Sequence, residues 1–472
     1  AGRVRVKDAM YVPTEGEFIR EDASLDEAIY LLAKGRHQSL LVVNDEGVSG
    51  ILRLSDVFSI ISKQIKKLGK LLDGFHLKGT VATDFKGRRV VVEGREVTYF
   101  GSAGYLGLDQ NPRIQEACRR GLEKYGSHPG CSRAFSSTDN LFRLEEELAD
   151  LVGAEAALVL INTSSSHMAA IPVLFGSPGT EIFIDAYGHA SMSDAALNAQ
   201  ARGATIHTVD IEKSDELAET LGASRAETKA LLIDGVYSMQ GVCPDVAAIQ
   251  TICDETDTTL YVDDAHGFGV LGEHGGGVAE LFGLSYDNMI MVAGLAKAMS
   301  QGGGFIAAKR DVIDLIRFQG TPFIFAGPVL PHVVEAIREG VRLCRSEEGA
   351  VLRRRLREIS IRVREEVAAL GFEVGPGDSP IVPVLIGDDF STLMAGYTLF
   401  EQGIYANSVA YPAVPAGKGI IRISLNAIHT DEDVDALISA FAVLKKEMGG
   451  QRFANTLRNL GKVAKAKLGD LF

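Results

Sequence analysis

The stretch Met289-Ile-Met-Val-Ala-Gly-Leu-Ala-Lys297-Ala-Met-Ser-Gln-Gly302-Gly303-Gly304 sends an apolar strand into a lysine, and a glycine cluster follows at once. Upstream, a second apolar run, Leu260-Tyr261-Val262, ends in Asp263-Asp264-Ala265-His266-Gly267. Short apolar runs bounded by turn residues predict strands buried on both faces. Working outward, the same kind of run recurs at Leu158–Ile161, Ile182–Ile184, Ala230–Ile233 and Phe305–Ala307, with helical stretches between. That alternation predicts an α/β fold, a mostly parallel sheet covered by helices on both faces. Ligands of such sheets bind beyond the carboxyl ends of the strands. Lys297 and Asp263 both stand at such ends.

An acid and a lysine on successive strand ends are what pyridoxal 5'-phosphate (PLP) requires. The lysine forms a Schiff base with its aldehyde, and Asp263 keeps the pyridine nitrogen protonated so that the ring draws off electrons. The alternative for Asp263-Asp264 is a cap on the helix that follows. His266 is placed to reach the phenolic oxygen of the cofactor. His189, in Ile182-Phe-Ile-Asp185-Ala-Tyr-Gly-His189-Ala-Ser191, can stack its ring on the pyridine face and, when protonated, act as an acid. Asn162, Thr163, Ser164 and Ser165 follow one strand and open a helix. Exposed amides with added hydroxyls form a phosphate cradle there, although such a run also serves as an ordinary helix cap. Arg422 lies between apolar residues in Gly419-Ile-Ile-Arg422-Ile-Ser-Leu-Asn. Burying it unpaired is costly. A substrate carboxylate would satisfy it in bidentate fashion, with a protein acid as the alternative.

At 472 residues the chain calls for two or three domains, and 46% hydrophobic with 23% charged residues describes a soluble globular protein. A net charge of −14 argues against a nucleic-acid partner. No apolar run approaches the roughly 18–20 residues that span a bilayer. The amino terminus has positive charge without an apolar stretch behind it, so no signal peptide is expected. The five cysteines (Cys118, Cys131, Cys243, Cys253, Cys344) are scattered and lack a C-x-x-C pair. They read as reduced thiols in a cytoplasm, with no metal site.

Residues 1–65 read as a small separate α/β unit. Ser24-Leu-Asp-Glu27 opens a helix from Leu25 to Lys34, and strands Leu40–Val43 and Val48–Leu52 flank a turn. Ser55-Asp56 caps a further helix. This unit resembles a single cystathionine-β-synthase (CBS) motif. Where such motifs bind adenosine nucleotides, a Thr or Ser three residues before the Asp helps hold the ribose. Arg53 stands there instead, so docking or dimerisation is the expected role. Residues 66–104 supply a linker helix and a hairpin over Gly87–Tyr99. Residues 105–330 form the large domain, 331–448 a small C-terminal α/β domain, and 449–472 a basic amphipathic tail. On an acidic protein that tail suits peripheral contact with the inner membrane face, packing on its own domain being the alternative.

The motifs together resemble the α-oxoamine synthases, the family of serine palmitoyltransferase and 8-amino-7-oxononanoate synthase. The likeness covers about residues 80–448. It rests on Tyr105-Leu-Gly-Leu108, Tyr125-Gly126, Ser132-Arg133, Asp185-x-x-x-His189-Ala-Ser191 and Tyr237-Ser238-Met239-x-Gly241. It continues through Val262-Asp263-x-Ala265-His266-Gly267-x-Gly269, Lys297 and Tyr411-Pro-x-Val-Pro415 to Arg422 and Ala427-x-His429-Thr430. The resemblance implies a fold-type I PLP-dependent transferase and a homodimer with shared active sites. It also implies decarboxylative Claisen-type condensation of a small α-amino acid with an acyl-CoA or acyl-carrier-protein thioester. Lys297 would then be anchor and proton shuttle. Ser238 would join the cofactor site, and Tyr105, Ser132, Arg133 and Arg422 the substrate site. The chain departs from the family pattern at several points. Gly294 replaces the Thr three residues before the lysine, and Asp264 replaces a Glu. Ser102-Ala103-Gly104 lacks the usual Asn, Ala326-Gly327 replaces Ser-Thr, and Asn162-Thr163-Ser164 replaces Ser-Gly-aromatic. The rivals are an aminotransferase on the same fold and a PLP-binding regulatory or scaffold protein. Membrane contact by the basic tail would suit a long-chain acyl substrate and a serine-palmitoyltransferase-like role.

Overall fold

A computed structural model describes residues 18–21, 39–44, 47–53, 82–92, 94–411, 413–415 and 417–449. By packing, the chain divides into Ala1–Val81 and Ala82–Phe472. In the first unit Ser39–Asn44 is the central strand of three, parallel to Phe18–Arg20 and antiparallel to Gly47–Arg53. Both strands expected near there are present, with Leu40 and Ile19 buried. The helices expected at Leu25–Lys34, after Ser55-Asp56 and in the linker that begins at residue 66, and the tail 449–472 beyond its first residue, lie outside the described residues.

A seven-stranded sheet organises the second unit. Its spatial order is Ala156–Leu160, Gly304–Ala308, Met289–Gly294, Thr259–Asp263, Thr228–Asp234, Thr180–Asp185 and Thr205–Val209. Every pairing is parallel except those made by Gly304–Ala308. That strand runs back because the connection 295–303 is shorter than the dozen or so residues a parallel crossover requires. Strand residues alternate between two cores. Leu158, Ile182, Leu232, Tyr261, Val292 and Ile306 enter one, beneath the helices Thr163–Leu174, Ala190–Gln200 and Arg310–Gln319. Val159, Phe183, Leu231, Val262, Met291 and Phe305 enter the other, beneath Asp139–Val152, Val246–Glu255 and Pro331–Cys344. A sheet covered on both faces explains why these strands read as continuous apolar runs. The edge strand Thr205–Val209 was not foreseen, because it is half exposed and its Thr-Ile-His-Thr-Val sequence offers no such run.

The sequence changes character near 330, yet Pro331–Cys344 packs Val334, Ile337 and Val341 into the large-sheet core. The separate C-terminal core begins in the helix Glu347–Ala369. It covers an antiparallel sheet of Glu373–Val374, Ile381–Gly387, Gly419–Ser424 and Asn407–Val409, flanked by Asp389–Glu401 and Asp431–Met448. Thr430 and Asp433 form a reciprocal capping box that starts the last helix. The hairpin joins this part too: Arg95–Tyr99 pairs with Arg89–Val92 and, in parallel, with Ile404–Tyr405.

Candidate active site

The carboxyl ends of three adjacent strands carry Asp185, Asp234 and Asp263, and the next strand ends at Gly294, three residues before Lys297. Asp185 serves the scaffold: its two oxygens accept from the amides of Tyr187 (3.0 Å) and Ile211 (3.2 Å). Asp234 is buried and accepts from the His189 amide at 3.0 Å. Burial, then the charge of Asp263, raises its pKa well above the usual carboxylate range. For Asp263 burial alone would also favour the neutral acid. The hydrogen bonds from His167 Nε2, 2.9 Å from Oδ2, and from the Ala265 amide, 3.0 Å from Oδ1, together with the charge of Lys297, oppose it and favour the carboxylate.

Lys297 sits in a turn closed by the Ser300 amide, which donates to the Lys297 carbonyl at 2.9 Å. Ser300 adopts a left-handed backbone, φ 54°, rare for a residue with a side chain. Among the described residues the Lys297 ammonium has no hydrogen-bond or ion-pair partner. Burial lowers its pKa, against the opposing pull of Asp263 and Asp234. A half-buried amine without a partner, beside a carboxylate held ionised, fits an aldehyde cofactor with a cationic ring.

Asn162 caps the helix Thr163–Leu174, its side chain accepting from the Ser165 amide at 2.7 Å. Its carboxamide is therefore committed to the cap, and the amides of Thr163 and Ser164 remain as the first-turn donors. Gly304 and Gly294 let this helix end come close. A Cβ at 304 would lie 2.5 Å from the Thr163 amide nitrogen, and one at 294 would lie 2.9 Å from Thr163 Oγ1. The Thr163 hydroxyl thus occupies the space that a side chain at 294 would take. Amides, hydroxyl and the partial positive charge of the helix end fit the phosphate of PLP.

His189 caps the helix Ala190–Gln200. Its Nδ1 lies 2.7 Å from Ser191 Oγ and accepts from the Ser191 amide at 3.3 Å. Partial desolvation lowers its pKa, which favours the neutral ring and a stacking role over an acidic one. His266 is buried, with burial holding its pKa well below the usual value, and its Nδ1 is 2.6 Å from the hydroxyl of fully buried Tyr105. These two expected residues therefore act as one unit. Arg422 is buried too. It donates to the Ser238 carbonyl and to Ser424 Oγ, both at 2.6 Å. Among the described residues no carboxylate lies within ion-pair distance, so the protein acid weighed as its partner is absent and its charge stays available.

Arg133 does not join this group through its side chain. Arg133 is buried and bonds Glu145 Oε1 at 2.5 Å and the Val159 carbonyl at 2.9 Å, with Phe323 under its guanidinium at 5.0 Å. That is a structural ion pair inside the domain, and its commitment to Glu145 corrects the expectation of a substrate contact. The His429-Thr430 motif is structural as well. His429 stacks on Phe100 with ring centroids 4.2 Å apart, and burial pushes its pKa down to about 4.

Three residues of the site were not singled out from sequence: His167, Tyr261 and Asp234. His167 bridges Tyr261 Oη and Asp263 Oδ2, both at 2.9 Å. The available signals were weak. His167 falls one turn inside a serine-rich cap, Tyr261 sits in an apolar run, and Asp234 ends its strand as Asp263 does.

The family described as aminotransferase class I and II matches residues 95–441, and the CBS domain family matches residues 6–63. An 8-amino-7-oxononanoate synthase of Geobacter sulfurreducens is 36% identical over 366 residues, 77% of this chain and 93% of that protein. One from Thermosipho melanesiensis is 32% identical over 393 residues, 83% of this chain and 99% of that protein. The solved serine palmitoyltransferase of Sphingomonas wittichii superposes with a TM-score of 0.78 at 27% identity, covering 84% of this chain and 99% of its own. Strand-end lysine, ionised acid, helix-end cradle and these likenesses converge: the chain belongs to the aminotransferase class I and II family and, within it, to the PLP-dependent α-oxoamine synthases, with a CBS domain at residues 6–63.

Proposed function

We propose that the protein condenses a small α-amino acid with an acyl-CoA or acyl-carrier-protein thioester, releasing the thiol and carbon dioxide and giving an α-amino ketone. The observation that carries this reading is Arg422, a buried guanidinium with no carboxylate within ion-pair distance among the described residues, facing the same site as Lys297, His266 and Tyr105. It is suited to the α-carboxylate of the amino acid. Bound PLP supplies an electron sink for the carbanion formed at the amino-acid Cα. The chain's own residues do the rest. Lys297 anchors the cofactor, and its lowered pKa favours the freed amine as the base that takes the α-proton at Nζ. Asp263 holds the ring nitrogen's proton. The Thr163 and Ser164 amides, with the hydroxyls of Thr163, Ser164 and Ser165, hold the phosphate. His189 covers one ring face. The neutral His266–Tyr105 pair reaches the phenolic oxygen.

The curated relatives favour a product of the kind their name describes, an amino-oxo acid, over a long-chain base of the serine palmitoyltransferase kind. A homodimer is part of the proposal. Phe135, Phe318 and Phe325 keep 81–87% of their surface exposed in the single chain, and a second copy is the natural cover for such residues. Among the described residues no helix is long and apolar enough to cross a membrane. The experiment is to titrate the PLP-loaded protein with glycine, alanine and serine, add thioesters of graded chain length, and follow free thiol. Amino-acid-dependent thiol release supports the reading. Keto-product formation without thiol release would favour the aminotransferase.

A further inference from the structure

We infer that Tyr261 and His167 are positioning residues that keep the Asp263 carboxylate ionised yet without a cationic partner of its own, so that its charge is reserved for the ring nitrogen of PLP. The inference rests on the reading of Asp263 as the partner of that nitrogen. Tyr261 and Asp263 are two apart on one strand and so face the same side of the sheet. Both reach the same imidazole from opposite ends. His167 Nδ1 is 2.9 Å from Tyr261 Oη, and Nε2 is 2.9 Å from Asp263 Oδ2. Tyr261 and His167 are fully buried.

Hydrogen-bond accounting fixes the proton. Among the described residues Tyr261 Oη has one polar partner, His167 Nδ1, and the Tyr261 ring packs in an apolar cluster that includes Phe175, ring centroids 6.4 Å apart. A phenol buried in that setting stays protonated, because burial and then the Asp263 charge raise its pKa well above 10.0. Its hydrogen therefore goes to Nδ1, which must offer a lone pair. The one ring proton then sits on Nε2 and is donated to Asp263. A doubly protonated ring would set the phenol hydrogen against an N–H and orphan a buried donor, a cost of roughly 1–3 kcal/mol. The other charged or titratable groups that face this chain are Lys297, His189, Asp234, Asp264 and His266. Asp263 thus receives neutral donors on both oxygens, His167 on one and the Ala265 amide on the other.

Tyr261→Phe frees Nδ1 to take a proton. The resulting imidazolium would compensate Asp263 and weaken its hold on the cofactor under acidic conditions. The test uses full-length protein labelled with 15N-histidine, without and with PLP, the His167 signals being identified by their loss in His167→Gln. In the wild type one bare and one protonated ring nitrogen are expected, with Nε2 carrying the proton. In Tyr261→Phe both nitrogens become protonated as the pH is lowered. The ratio of variant to wild-type PLP dissociation constants is then about one at the alkaline end of that titration and about ten at its acidic end, the effect of one pK unit of lost interaction. Two protonated nitrogens in the wild type would overturn the inference, even if the variant does not fold. An unchanged tautomer in a folded Tyr261→Phe overturns it as well. Failure of the underlying reading looks different: Asp263→Asn would then bind PLP with unaltered affinity and absorbance.

Discussion

Replacing Glu145 with glutamine separates the structural from the functional arginine. Arg133 and Glu145 side chains are 3% and 5% exposed and touch at 2.5 Å, and Arg317 adds a second guanidinium 3.3 Å from the other carboxylate oxygen. At an effective dielectric of about 20, a pair this close is worth about 7 kcal/mol before desolvation. Glutamine keeps one acceptor for the Val159 amide but leaves two guanidinia without a counter-charge. Breaking a buried pair from one side costs about 3–5 kcal/mol. The retained hydrogen bonds place Glu145→Gln near the lower figure. The assay is urea denaturation of the wild type, Glu145→Gln, Arg133→Met and the double variant, with KM for the amino acid measured on every folded protein. Each single variant loses about 3 kcal/mol, the double variant loses less than their sum, and KM is unaltered. A raised KM in Arg133→Met at undiminished stability would refute the reasoning and return Arg133 to the substrate site.

Other expectations follow from the same geometry. Arg422→Gln raises KM for the amino acid about 30- to 160-fold, the loss of charge-assisted hydrogen bonds worth about 2–3 kcal/mol, with the PLP absorbance retained; steady-state kinetics with saturating thioester check it. Asp264 is fully buried, accepts from the Val278 amide at 2.8 Å, and burial pushes its pKa up from 3.8 to about 8. Its contribution is full below about pH 4, shrinks as the unfolded chain ionises, and is lost by about pH 8. Asp264→Asn is neutral throughout, so its stability relative to the wild type rises across that window, by at most about 6 kcal/mol; denaturation at several pH values reads the slope, and a falling slope contradicts the assignment. His189→Phe keeps PLP affinity, whereas His189→Ala loses about three- to tenfold, as expected of ring stacking; equilibrium titration of the cofactor distinguishes the two.

The sheet was legible because burial on both faces writes each strand as an apolar run, and the acid and lysine at two of their ends located the site. The half-exposed strand Thr205–Val209 leaves no such mark. What the sequence could not display is commitment. Arg133 and Arg422 are both buried arginines in family-like motifs, and only their neighbours, Glu145 for one and a carbonyl and a hydroxyl for the other, separate a brace from a binding group. The Asn162 side chain was likewise read as a ligand and is taken up by its own helix end. Tyr261 was hidden for the opposite reason, since a tyrosine in an apolar run reads as core until the imidazole it reaches is known. The hydroxyl missing at Gly294 finds its counterpart in Thr163, which comes from another strand end and is adjacent only in space.

The central claim, that Lys297 anchors the cofactor of an amino-acid-dependent acyl transfer, is tested most directly by following thiol and carbon dioxide from the PLP-loaded wild type and Lys297→Ala. The substrates are a panel of small amino acids and acyl thioesters. One carbon dioxide per thiol is expected, with an absolute requirement for the amino acid, and both disappear in Lys297→Ala together with the visible absorbance of the bound cofactor. Thiol release that persists in Lys297→Ala, or wild-type protein that holds PLP yet releases no thiol with any pair, would contradict the account.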